Sequence, residues 1–158
     1  MIQKADRRKY LIIILALLLF GAILFVFLMQ NRGTALTPDQ SAVNFTGIRK
    51  TKTKSIEQKG ISIPGLESLV FVADQKEQKV NFYNPADNEG IMIVLALVID
   101  DSVLWKSGNV EAGKGFYDIE LSEPLKAGTY DAFLVYDCFT SEGVKLNSAQ
   151  VKFKLIVE

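Results

Sequence analysis

Residues 125–140 read Leu125-Lys126-Ala127-Gly128-Thr129-Tyr130-Asp131-Ala132-Phe133-Leu134-Val135-Tyr136-Asp137-Cys138-Phe139-Thr140. Two patterns run through this stretch. Its first six residues have the form L-x-x-G-x-Y, which introduces a late strand in antiparallel sandwiches of immunoglobulin-like type. There the tyrosine is buried and its hydroxyl bonds back to upstream backbone, closing the corner between the sheets. Leu125, Gly128 and Tyr130 are therefore expected to be structural. The remainder alternates with period two, which puts Tyr130, Ala132, Leu134, Tyr136 and Cys138 on one strand face and Phe133, Val135 and Phe139 on the other, flanked by Asp131 and Asp137. The antibody signature would place cysteine at 132. Alanine stands there, and the chain's single cysteine excludes an internal disulfide. Packing alone must hold the core.

Outward from this strand the period of two persists. Strands are expected over 68–73, 79–83, 91–99, 103–106, 116–121, 130–140 and 150–157. Between them lie turn sequences such as Asn84-Pro85, Asp87-Asn88-Glu89-Gly90, Asp100-Asp101-Ser102 and Ser141-Glu142-Gly143. The expected class is all-β, an immunoglobulin-like antiparallel β-sandwich over 61–158 preceded by one N-terminal transmembrane helix.

That helix is expected over residues 10–29, YLIIILALLLFGAILFVFLM, a run without a charge in which fifteen of twenty residues are Leu, Ile, Val or Phe. Twenty helical residues span about 30 Å, the thickness of a hydrocarbon core. Lys4, Arg7, Arg8 and Lys9 precede the run and only Arg32 follows closely, so residues 1–9 are expected to be a cytoplasmic tail and the C-terminal domain to lie outside the cell. The run is longer than a signal-peptide core, which favours an uncleaved signal anchor. Residues 30–60 are polar and free of hydrophobic period and read as a flexible linker.

The formal charge is zero, but it divides into +3 over 1–30, +4 over 31–60 and −7 over 61–158. The balance argues against a nucleic-acid partner. With no histidine and one cysteine, Cys/His zinc sites and His-dependent nucleophilic mechanisms are excluded. Gly108 to Lys114 reproduces G-x-x-x-x-G-K, the phosphate-cradling spacing. However, Gly115 replaces the Ser or Thr and a strand pattern follows where a helix is required, so no nucleotide is expected. No cofactor and no metal are expected, Asp100, Asp101, Asp118, Glu120, Asp131 and Asp137 reading as a solvated acidic surface. Cys138 reads as a small core hydrophobe and Trp105 as a core or sheet-edge anchor.

The informative departure is apolar excess. Phe133, Val135 and Phe139 point away from the Tyr130 face, and Ile91-Met92-Ile93-Val94-Leu95-Ala96-Leu97-Val98-Ile99 is apolar on both faces, Val94 and Val98 included. An outward apolar patch on one sheet marks contact with a neighbour. The expected function is thus a non-enzymatic, membrane-anchored envelope module binding another surface protein through one sheet face. The alternative is a head binding a metal or sugar at the loops near Asp100-Asp101 and Glu111–Lys114.

The segments Ala42-Val43-Asn44-Phe45-Thr46-Gly47, Ile63-Pro64-Gly65, Val80-Asn81-Phe82-Tyr83-Asn84-Pro85, Val103-Leu104-Trp105-Lys106-Ser107 and Leu125 to Tyr130 resemble a family of small single-pass surface proteins of Gram-positive bacteria with one β-sandwich head. The resemblance covers most of 40–158. It implies an envelope location and association with other surface machinery, and no catalytic residue. Some relatives are labelled tRNA (uracil) methyltransferases; the sequence has no methyl-donor site and no RNA-binding surface to match that label.

Overall fold

The computed structural model describes residues 17–22, 35–47 and 60–158. The chain divides into two units, Met1–Thr34 and Ala35–Glu158. In the first, residues 17–22 are helical with exposed side chains. The rest of the expected 10–29 span lies outside the described residues, among which no helix is long and apolar enough to cross a membrane.

The second unit is all-β. Its strands are β1 (Val43–Asn44), β2 (Ser68–Phe71), β3 (Glu77–Tyr83), β4 (Ile91–Ile99), β5 (Ser102–Lys106), β6 (Lys114–Glu120), β7 (Gly128–Thr140) and β8 (Lys145–Val157). Five form one sheet in the order β2-β8-β7-β4-β5, and three form a second in the order β1-β6-β3. Pairing is antiparallel except where β2 runs parallel to β8.

The centre of the large sheet follows directly from alternation. β4 and β7 pair over nine positions, from Ile91 opposite Thr140 to Ile99 opposite Ala132. On the inner face Ile93, Leu95, Leu97 and Ile99 meet Cys138, Tyr136, Leu134 and Ala132, and all eight are buried. Each large side chain removed from water here contributes roughly 1.5–3 kcal/mol. Val80, Phe82, Phe116 and Ile119 supply the opposing layer from the small sheet. Trp105, half-buried, bridges the two layers: its ring lies 5.0 Å from Phe116 edge-on and 5.8 Å from Phe82.

The β4–β5 hairpin turns through Asp100 and Asp101, both at positive φ (48° and 61°). Two consecutive left-handed residues match the twist of the strands they join, as in a type I′ turn. The β7–β8 hairpin is longer than its hydrophobic pattern suggests. β8 begins at Lys145 rather than 150, because Lys145-Leu146-Asn147-Ser148-Ala149 carries too little apolar alternation to read as strand while its backbone continues the ladder with β7.

The ends of the large sheet's outer strands carry local interruptions. Just past the end of β2, the buried Gln78 accepts from the Val72 amide (2.8 Å) and donates to the Val72 and Gln75 carbonyls. At β5, a register shift opposite Leu97 and Val98 leaves the Leu104 carbonyl to accept from the Ser122 amide at 2.8 Å. Bulges and occupied edge groups oppose edge-to-edge growth.

The stretch expected to be a free linker is only partly so. Residues 35–47 lie on the second unit, contribute β1 and bury Ala42. They escape a periodicity argument because two ladder pairs and side-chain hydrogen bonds, not an apolar stripe, hold them.

Candidate functional site

Strand alternation and register assemble the outward side of the large sheet. Across β5, β4, β7 and β8 the rows are Val103-Val98-Phe133-Lys152, Lys106-Ala96-Val135-Gln150, Val94-Asp137-Ser148 and Met92-Phe139-Lys145. Phe133, Val135, Phe139, Val94 and Val98 thus share one face, and all five are half-buried. None belongs to the core cluster, which lies on the other side of the sheet. From Met92 to Val98 the strip runs about 20 Å at roughly 3.3 Å per residue, and four strands spaced about 4.8 Å make it about 14 Å wide. The area, on the order of 300 Å², equals a substantial surface patch but only about a third of one partner's share in a standard interface. A polar rim surrounds it.

That rim is ionic. Asp131 binds Lys154 and Lys152 at 2.5 and 3.2 Å, and Asp137 accepts from Ser148 with Lys145 at 3.9 Å. The hydrogen bond from Lys154, then that from Lys152, holds the Asp131 carboxyl below its ordinary value. The Lys152 ammonium lies 5.8 Å from the Phe133 ring centroid, a cation–π contact. Four lysines (106, 145, 152 and 154) against two aspartates give this face positive character on a domain whose sequence is otherwise acidic.

No family model, curated protein or solved structure matches this chain. What the face does must therefore be read from its own chemistry.

The loops named as an alternative site are not brought together. Val110 bridges Ile93 near the start of β4, whereas Asp100 follows its end, about 20 Å away along the strand. Glu111 is paired with Lys114 at 2.6 Å, and no group of three or more metal-ligating side chains occurs among the described residues. The Gly108–Lys114 stretch opens β6, not a helix, and its Gly108 amide donates to Asp39 at 2.6 Å. Cys138 is buried; burial, then the neighbouring Asp137 carboxylate, pushes its thiol up, away from the thiolate form.

Tyr130 points to the core side of β7, and its hydroxyl donates to the Lys126 carbonyl at 2.9 Å. It is half-buried rather than fully buried. Leu125 packs against the core beside it, and Gly128 starts the strand.

Two asparagines of the turn sequences are central to the fold. Asn84 and Asn88 are buried. Asn84 donates to the Ile91 and Val110 carbonyls (both 2.9 Å) and accepts from the Asn88 side chain (2.8 Å). Asn88 in turn exchanges two hydrogen bonds with the Ser62 backbone. This network joins the lead-in, the β3–β4 turn and the β5–β6 loop. Nothing in residue type alone separates such an asparagine from an exposed one.

Proposed function

We propose that this chain is a non-enzymatic interaction module: an immunoglobulin-like sandwich, held outside the cell by a single membrane span over residues 10–29, which docks on another envelope protein. The immunoglobulin-like reading is supported by the topology. β3 and β6 share one sheet, β4, β5, β7 and β8 the other, and the Tyr130 hydroxyl bonds back across the corner before β7. The membrane reading is supported by the uncharged run 10–29 and its basic N-terminal flank.

The observation that carries the docking reading is the outward face of the large sheet, where Phe133, Val135, Phe139, Val94 and Val98 stand outside the core within a lysine-rich rim. The register shift at the β5 edge, beside this face, further supports recognition through the face rather than by strand addition there. The matching partner surface is apolar at its centre and carries carboxylates at its border.

The test is a paired variant, Phe133→Ser with Phe139→Ser, in the full-length membrane protein. Cross-linking in cells followed by purification should capture a partner with the original chain and lose it with the variant, while thermal unfolding shifts little. A variant that unfolds well below the original would mean that the face is covered from within, because large-to-small changes inside a core cost several kcal/mol.

A further inference from the structure

Residues 35–47 lie across the domain as an extended strap with two fixed points. At one, the Asp39 carboxylate accepts from the Gly108 amide and the Ser41 hydroxyl, the Asp39 amide donates to the Asn109 carbonyl at 2.7 Å, and the Asn109 side chain donates to the Thr37 carbonyl at 2.9 Å. At the other, Phe45 stacks on Tyr83 (4.2 Å, 7° between planes) and Tyr117 (4.9 Å, 17°), and the Thr46 amide donates to the Tyr117 hydroxyl at 2.9 Å. Between them Val43 and Asn44 pair with Gly115 and Lys114 of β6. Gly115, the partner of Val43, is held to glycine by the neighbouring β3: a Cβ there would collide with the Phe82 carbonyl and the Tyr83 side chain.

The strap adds little to the core. Ala42 is its one buried residue, and the remaining core cluster comes from β2 to β8 and their connections. A segment held by one aromatic stack, polar contacts and two ladder pairs, with a single buried residue, opens at lower free energy than the core strands. From Gly47 to Gly60 the chain has thirteen steps and an extended reach of up to about 45 Å.

We propose that the strap groove is a strand acceptor, which takes residues 35–47 from a second copy of this chain as well as from its own. Exchange replaces every contact by an identical one, so only the entropy of association opposes it; this is the low-cost route to domain-swapped dimers. The two fixed points, a carboxylate on the Gly108 amide and an aromatic ring six residues later on the tyrosine pair, select this segment over an arbitrary strand. The groove lies on the small sheet, so exchange stands or falls independently of the docking face. Anchoring in one bilayer, which rests on the span proposed above, raises the effective concentration of copies.

Asn44 and Lys114 are register partners, which makes Asn44→Cys and Lys114→Cys the reporting pair. Full-length chains carrying one substitution each and different affinity tags are mixed in detergent and mildly oxidised; Cys138 is buried and does not compete. Exchange produces a band of doubled mass bearing both tags; adding Phe45→Ala to the Asn44→Cys copy speeds its appearance, because that strap opens more easily, and does not lower its yield, because the ring contacts are lost equally in the closed monomer. The double substitution on one chain is the control. If it closes internally while the mixture stays monomeric, exchange is overturned. If neither forms a disulfide, the strap does not pair with β6 in this register and the acceptor itself is overturned.

Discussion

Substituting Asn84 separates two costs of a buried polar group. Its side chain donates to the Ile91 and Val110 carbonyls and accepts from Asn88, with no solvent exposure. In Asn84→Ala three hydrogen bonds disappear and the Asn88 amide loses one acceptor. At about 1 kcal/mol per bond, with an added penalty for buried groups left unpaired, the loss comes to about 3–4 kcal/mol. For a domain of this size that lowers Tm by roughly 10–15 °C. Asn84→Asp keeps the shape but points carboxylate oxygens at two carbonyls. Near neutral pH it should be worse than alanine, because a buried charge now faces like-signed dipoles. Burial raises its folded pKa above the unfolded value. The native state therefore binds the proton more tightly, and the variant regains stability as pH falls through the raised value. The assay is urea denaturation of residues 35–158 between pH 4 and 8, each variant referred to the original domain at the same pH. An Asn84→Asp domain that matches Asn84→Ala at every pH would refute the network as drawn.

Three further perturbations probe other elements. Tyr130→Phe deletes the bond to the Lys126 carbonyl and should cost about 1 kcal/mol in the same assay, held to that figure by partial exposure; an unchanged midpoint would remove the corner from the fold's supports. At φ 61°, Asp101→Gly should fall within about 1 kcal/mol of the original, whereas Asp101→Val should lose about 1–2 kcal/mol; equal losses would contradict the left-handed turn. Partial burial pushes the Asp39 carboxyl up, but hydrogen bonds from Ser41, Gly108 and Ala42 outweigh it and hold it below its ordinary 3.8. Strap docking should then be complete above that value and weaken as pH falls through the depressed one, followed by the Gly108 and Thr46 amide resonances. A midpoint at or above 3.8 would show that the clamp does not form.

The large sheet was legible because its signals are local and strong. Alternation through 130–140 assigned each side chain of β7 to a face, and the both-faced apolar run at 91–99 gave β4 its full extent. The flat, polar part of β8 before Gln150 escaped because pairing with β7, not composition, makes it a strand. The strap escaped for a related reason. Phe45 in a polar stretch looks like a stray aromatic until Tyr83 and Tyr117, distant in sequence, are seen to receive it. The carboxylate pair at 100–101 was recognised as a turn, but its distance from Glu111–Lys114 required knowing which end of β4 each loop meets.

The central position of β4 in the large sheet shifts a hazard from space into time. Ile91-Met92-Ile93-Val94-Leu95-Ala96-Leu97-Val98-Ile99 has the composition of an amyloid-forming segment: uncharged, free of proline and rich in β-branched residues. In the finished domain it is inert, its backbone paired on both sides by β5 and β7. Its long partner β7 begins at Gly128, however, so during synthesis β4 leaves the ribosome well before the strand that will sequester it. A lag of some thirty residues lasts several seconds at about 5–20 residues per second. Early truncations ending between β5 and β7 should aggregate while the complete chain does not, so overproduction is most dangerous at the ribosome rather than after folding is complete.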